Sequence, residues 1–398
     1  MSEELRVNSG ERKMVKLGEV CEIINGYAFK SNNYTVSGIR IMRITNVKKG
    51  KIIDEDTKFY SKSEYNNIKE YILRENDILI SLTGNVGRVG ILTKELLPAA
   101  LNQRVACLRI KNENKLVINY IFQYLNSDKF ENACIKDSKG VAQKNMSTEW
   151  LKLFEIPLPP LAEQQRIAAT LDWVQMIIDA KKQQLDKLDL LVKARFVEMF
   201  GDPVRNEKSW TMATLGEIAD IRIGPFGTLL HKEDYIVDGH PLINPSHIVG
   251  GKIQVDSRLT VSKEKYEELS AYRLYVDDII LGRRGEMGRC AVVKEEGMLC
   301  GTGSIIIRPR EVVKAYFLKN IISSPSYKKL IKDKAVGGTM MNLNIPIVSS
   351  LIFPVLPIDL QKQFIVFSEN VDKVRFEISK SLEQTEKLYK ALMQRYFE

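Results

Sequence analysis

Apolar residues along this chain fall into two regimes. Short runs such as Ile39-Arg-Ile-Met-Arg-Ile44, Asp77-Ile-Leu-Ile-Ser-Leu82 and Arg104-Val-Ala-Cys-Leu-Arg-Ile110 are rich in Ile, Val and Leu and are bounded by Gly and Asn, a pattern that predicts strands. Helical patterns intervene around residues 62–71 and 119–126, with counterparts near 263–269 and 315–322. Mixed α and β within compact units is expected. The second regime is a long four-three spacing through Ile167, Leu171, Val174, Ile178, Lys181, Leu185, Leu188, Val192, Arg195 and Met199, in which eight of ten positions are apolar. Such a narrow stripe predicts a coiled-coil seam. Shifted by 197, the same spacing meets Phe364, Ser368, Val371, Arg375, Ile378, Leu382, Thr385, Tyr389, Leu392 and Tyr396, a weaker seam in register with the first.

Proline-rich elbows, Pro157-Leu-Pro-Pro160 and Pro354-Val-Leu-Pro357, precede both stripes; proline holds φ and pushes its predecessor toward extended geometry, so these segments are stiff. Gly201 and Pro203 end the first stripe after Phe200, as a C-terminal glycine followed by proline does. At about 1.5 Å per residue the helix from Glu163 to Phe200 would run roughly 55 Å. One long helix leaves the first globular half and the other starts from the second, so if their seams pair they run antiparallel. Residues 1–160 and 201–357 are expected as globular domains, with residues 161–200 and 358–398 as helices.

The pattern occurs twice because the sequence does. Lys16-Leu-Gly-Glu-Val20 returns as Thr214-Leu-Gly-Glu-Ile218, and the segment from Asp77 to Arg88 returns from Asp278 to Arg289, a shift of 278 minus 77, or 201. Solenoid repeats run about 20–50 residues, so this period means two copies of one module. The fold class expected is α+β: two tandem globular domains joined by two long antiparallel coiled-coil helices with pseudo-two-fold symmetry. Duplex DNA is a partner of matching symmetry, since a two-fold protein reads two half-sites.

Composition narrows this picture only modestly. The chain has 398 residues, a net charge of +9 and 44% hydrophobic residues, room for two or three soluble domains with a balance compatible with nucleic acid. No apolar run approaches the roughly 20 residues of a membrane span, and the N-terminus is charged, so a cytoplasmic protein without membrane association is expected. Five cysteines without a C-x-x-C pair and three histidines in one stretch argue against a disulfide framework and against a metal site.

A tandem of divergent modules, each closed by a proline elbow and a long helix, with Leu17-Gly-Glu19 and Leu215-Gly-Glu217 at the starts and Gly84-x-x-Gly-Arg88 and Gly285-x-x-Gly-Arg289 in the middles, resembles the specificity subunits of type I restriction-modification enzymes. Gln164-Gln-Arg-Ile167 belongs to the same pattern, and the second copy departs from it where Gln165-Arg166 become Lys362-Gln363. The resemblance implies that each globular domain is a target recognition domain for half of a bipartite, asymmetric DNA sequence. It also implies that the helices set the spacing and hold two modification (methyltransferase) subunits, with restriction subunits joining through the complex.

Reading bases in the major groove needs Arg or Lys for guanine and Asn or Gln for adenine on short, rigid supports. Candidates are Asn85 and Arg88 on one glycine-rich hairpin and Arg283, Arg284, Glu286 and Arg289 on its counterpart. Others are Asn102, Gln103 and Arg104 after a strand, Arg43 and Asn46 at a strand end, Lys139, Gln143 and Lys144 around Gly140, and Lys332 and Lys334 before Gly337-Gly338. Asp77, Gly84, Gly87 and Arg88 recur, while the tip between them changes from Leu-Thr-x-Asn to Arg-Arg-x-Glu, as two different half-sites would demand.

Chemistry of its own is poorly supported. Asn244-Pro-Ser-His247 lacks the second proline and the aromatic ring of a loop that grips a flipped base, and reads as a turn after a strand. Residues 84–90 lack G-x-G-x-x-G and lead into a strand-like run, so they read as a β-hairpin. No catalytic residue and no cofactor are expected. The rival functions are a self-sufficient methyltransferase or nuclease and a coiled-coil scaffold that binds only protein.

Overall fold

The computed structural model of the chain describes residues 13–138, 145–226, 229–335 and 342–397. It divides into two compact units, Met1–Gln183 with Ser379–Glu398, and Gln184–Ile378.

In the first unit β1 (Cys21–Asn25), β2 (Ile78–Ser81), β3 (Val89–Ile91) and β4 (Val105–Ile110) form an antiparallel sheet in the order β1-β4-β2-β3. All four residues of β2 are buried. Ile78 and Ile80 join the cluster under the helices, and Leu79 joins the cluster facing a second sheet. Cover on both faces is why the strand is continuously apolar rather than alternating. The second sheet has strands Ile39–Met42, Lys58–Tyr60 and Tyr34–Thr35, with Ala99–Leu101 parallel to Ile39–Met42. Helices α1 (Ile118–Leu125) and α2 (Asp128–Asp137) cover the first sheet through Tyr120, Tyr124, Phe130 and Cys134.

The second unit repeats this order. Strands β5 (Ala219–Ile223), β6 (Ile279–Gly282), β7 (Cys290–Val292) and β8 (Ser304–Pro309) follow as β5-β8-β6-β7. Leu299–Cys300 lies parallel to His240–Ile243 in the companion sheet. Before them run the long α3 (Leu161–Phe200) and, after them, α4 (Ala315–Ile322), α5 (Pro325–Lys334) and the long α6 (Ile358–Phe397).

The start and end of each module lie side by side. Met14–Lys16 pairs with Glu155–Pro157, and Thr211–Thr214 pairs with Ile352–Val355. Directly after the first strand of each pair comes the repeated Leu-Gly-Glu. A Cβ on Gly18 would lie 3.0 Å from the Lys152 carbonyl oxygen, and one on Gly216 would lie 3.3 Å from Ser349 Cβ. That glycine recurs because two short helices touch there.

Both long helices contribute to each unit. In the first, Ile167, Leu171, Val174 and Ile178 are buried, while Leu382, Tyr389 and Leu392 are half-buried. Lys181 Nζ donates to Ser381 Oγ (2.5 Å) and Thr385 Oγ1 (2.9 Å), and Arg166 lies over the Tyr396 ring, so low residue numbers meet high ones and the pairing is antiparallel. The second unit pairs the same way, with Asp189 on Arg375 at 2.5 Å and Phe196 against Phe364. There Phe364 and Val371 are buried, and Leu185, Leu188, Val192 and Ile378 are half-buried. Toward its end, α3 departs from the expected spacing. Phe196 and Phe200, rather than Arg195 and Met199, are buried, because here the partner is the module core at Phe317 as well as the other helix. Met393 and Phe397 of α6 bury into the first module's core in the corresponding way.

The helix expected around residues 62–71 is present as Lys62–Tyr71, of the 3-10 kind. Lys332 and Lys334 are exposed positions in the last turn of α5, whose fully buried residues are Tyr327 and Ile331, with Leu330 partly buried beside them. So narrow a stripe left the helix invisible to periodicity.

Candidate nucleic-acid interface

At one edge of the first module three segments converge on the turn between β2 and β3. The Leu82 carbonyl accepts from Met146 N (2.8 Å), Thr83 is bridged to Asn145, and Leu82 N donates to the Arg104 carbonyl (3.0 Å). Ile44 Cδ1 would stand 3.9 Å from a Cβ on Gly84. The second module repeats the construction. Arg283 carbonyl accepts from Leu343 N (3.0 Å), Arg284 is bridged to Asn342, Arg283 N donates to the Gly303 carbonyl (3.0 Å), and Pro245 packs 3.2 Å from where a Gly282 Cβ would be.

Residues common to the two copies hold this construction together. Gly84, Gly87, Gly285 and Gly288 all have φ between +69° and +77°, a region that side chains rarely tolerate. Asp77 accepts from Arg109 Nε (2.9 Å) and NH2 (2.7 Å) and from Arg74 N (2.7 Å), and Asp278 accepts likewise from Arg308 and Tyr275 N. The bidentate carboxylate in turn holds the Arg109 guanidinium above its ordinary pKa. Gln164 is buried and fully used: Oε1 accepts from Val117 N, and Nε2 donates to the Lys115 and Pro159 carbonyls, all at 2.9 Å. Gln361 repeats this with Lys314 N and the Val312 and Leu356 carbonyls.

Among the base-reading candidates, Asn85, Gln103, Arg104 and Arg284 are exposed on the converging segments, and Arg88, Asn102, Arg283 and Arg289 are partly exposed beside them. Arg283 Nε donates to Asn342 Oδ1 (3.1 Å), and burial followed by the charge of Arg284 lowers its pKa. Arg289 donates to the Pro245 carbonyl (3.2 Å) and pairs with Glu286 (3.0 Å). Lys139, Gln143 and Lys144 lie outside the described residues.

Asn46 is a correction. It is 1% exposed, accepts from Arg43 N (3.1 Å), and donates to the Ile53 and Glu55 carbonyls (3.0 Å each), so its amide has nothing left for a base. Its counterpart His247, also buried, accepts from Asn244 N (3.1 Å) in the same geometry. Arg43 is spent in part as well, bound to the Asp56 carboxylate at 3.0 Å. Lys49 and Lys328 were missed by sequence reasoning. Each touches a hairpin from, or toward, the helix beside it, and no local signal marks a pairing across such sequence separations.

Arg284 is the exposed cation at the tip of the second hairpin. Replacing it with Ala is expected to reduce discrimination at one base of one half-site by about 1–3 kcal/mol, roughly five- to 150-fold. Competition binding against single-base variants of the target would read this. Equal weakening on every sequence would instead assign Arg284 to phosphate.

Among the described residues no helix is long and apolar enough to cross a membrane, and no group of three or more His, Cys, Asp or Glu is placed to hold a metal.

The sequence profile described as the type I restriction modification DNA specificity domain matches residues 10–190 and again 207–387. The type I restriction enzyme EcoBI specificity subunit of Escherichia coli is 23% identical over 96% of this chain and 85% of its own length. A type I restriction-modification S subunit from M. genitalium superposes with a TM-score of 0.59 at 16% identity, covering 100% of this chain and 99% of the other. A chain from a structure of type I R-M complex assembly and conformational transition does so at 0.60, again at 16% identity, over 98% of both. With two matched domains accounting for nearly all of its length, the chain belongs to the type I restriction-modification DNA specificity family.

Proposed function

We propose that this chain is the non-catalytic DNA-reading subunit of a cytoplasmic type I restriction-modification complex. Residues 1–160 and 201–357 each read one half of a bipartite, asymmetric duplex target. Residues 161–200 and 358–398 set the spacing and dock two methyltransferase subunits, through which restriction subunits join. One observation carries the reading: in each module the same three segments converge on a glycine-framed hairpin whose shared residues are structural and whose tip differs, Thr83 and Asn85 against Arg284 and Glu286.

Magnitudes support two heads over one. Two or three good base contacts per module at about 1–3 kcal/mol each give on the order of 4–18 kcal/mol for the pair, against a usual specific-over-nonspecific margin of about 4–10. One module alone gives about 2–9 kcal/mol, short of the top of that margin.

The test is an exchange. Residues 201–357 are replaced with the matching module of a relative, the complex is assembled, and methylated adenines are mapped across a genome. One half of the target is expected to change while the other half and the spacer stay. A change in both halves would refute modular reading, and methyl transfer by the purified chain alone would refute the non-catalytic assignment.

A further inference from the structure

The two reading hairpins are braced differently. In the first module Glu131 of α2 pairs with Lys49 at 2.5 Å, and Asp128 lies 3.7 Å from the same ammonium. Lys49 sits in the turn of a short hairpin, Val47–Lys48 with Lys51–Ile52, so the helix charge grips that hairpin. In the second module the position of Glu131 is taken by Lys328, 197 residues on, and that of Lys49 by Gly250, 201 residues on. Charge on the helix has reversed, and its former partner has no side chain.

Lys328 instead reaches the reading hairpin. Its Nζ lies 2.8 Å from Glu286 Oε1, while Glu286 Oε2 lies 3.0 Å from Arg289. Its stem covers the base of the same turn, since a Cβ on Gly288 would be 2.7 Å from Lys328 Cγ. In the first module Cys134 covers the matching glycine, 3.0 Å from a Gly87 Cβ, and the tip residue is the uncharged Asn85. One helix surface therefore packs on the hairpin base in both modules, but among the described residues an ionic clamp holds the tip only in the second. Lys328 and Arg289 both lower the pKa of Glu286, the lysine's hydrogen bond more than the arginine's, so the carboxylate is engaged on two sides.

We propose that Lys328 and Glu286 are positioning residues for the second half-site, clamping the tip so that Arg283 and Arg284 are presented in one geometry. The inference rests on the reading function proposed above and refines it. Glu286 then holds the tip instead of reading a base, since each of its oxygens already pairs with a cation, and Lys328 acts through the hairpin rather than by contact with DNA. A guanidinium held in place loses less freedom on binding than a mobile one, so the clamp sharpens the choice between bases. Among the described residues it has no counterpart in the first module.

A double-mutant cycle tests this in the assembled complex. Lys328→Met, Glu286→Gln and the pair together are compared for discrimination among single-base variants of each half-site, with thermal unfolding as a check on folding. Partly exposed ion pairs are individually weak, so each single variant is expected to lose roughly three- to five-fold discrimination on the second half-site and none on the first. The double variant should be no worse than either single one, and Lys328→Arg should restore the loss. Additive losses would overturn the proposal, because each residue would then contact DNA by itself. Uniform weakening on all sequences, with a salt slope shallower by about one, would make Lys328 a phosphate contact and overturn it too. Undiminished discrimination in the single variants would sink the clamp alone, whereas absence of any second-half preference in the unmodified complex would sink the reading function beneath it.

Discussion

Asp77→Ala is expected to destabilise the first module by about 3–5 kcal/mol, the usual cost of stranding one member of a buried ion pair. The carboxylate is almost wholly buried, and three donors converge on it: two from Arg109 and the backbone N–H of Arg74. Alanine leaves the guanidinium without its counter-charge and the turn before β2 without its cap. Amide protection in β2 and β4, measured by hydrogen exchange, should fall by roughly two to four decades, at about 1.4 kcal/mol each, while strands of the second module keep theirs. Asp278→Ala makes the same deletion with a smaller loss, because the Arg308 side chain is 44% exposed against 18% for Arg109 and recovers water more readily. Equal losses from the two substitutions would show that burial of the arginine does not set the cost.

Gln164→Leu should be nearly as damaging, although it replaces a polar side chain with an apolar one of similar size in a buried place. The amide satisfies one backbone N–H and two backbone carbonyls around the start of α3. Leucine fills the volume but leaves all three unpaired. At about 1–3 kcal/mol for each stranded buried group, a loss of roughly 3 kcal/mol or more is expected, read as reduced protection of α1 and the first turns of α3. Gln164→Glu should be no better, since a carboxylate can still accept from Val117 N but would face two carbonyl oxygens with nothing to donate. A loss below about 1 kcal/mol for Gln164→Leu would mean that water or a shifted backbone replaces the amide.

Both residues stand in segments that recur between the two halves of the chain, and this bears on how repeats are read. Asp77, Gly87 and Gln164 recur because the turn, the left-handed backbone and the helix start need those side chains in any copy of the fold. Residues that differ, Thr83 and Asn85 against Arg284 and Glu286, occupy the exposed tip. Shared residues located the construction, and divergent ones marked the surface that is free to specialise. Asn46 misled because an asparagine at a strand end looks the same in sequence whether its amide faces solvent or closes a turn; three hydrogen bonds decide the matter.

From sequence alone the duplication, the strand runs, the two long helices and their ends were legible, because each is set by local periodicity or by backbone-restricting Gly and Pro. The pattern also showed which hairpin changes between copies. Tertiary structure alone decided the rest. It showed that α3 and α6 complete the core of each module through Phe196, Phe200, Met393 and Phe397, that α2 and α5 exist with only two fully buried residues each, and that three distant segments meet at each hairpin. It also showed that the same helix position carries Glu131 on Lys49 in one module and Lys328 on Glu286 in the other. These are contacts between residues tens of positions apart, chosen by packing and charge after the elements form, and nothing in the local spacing of either partner records them.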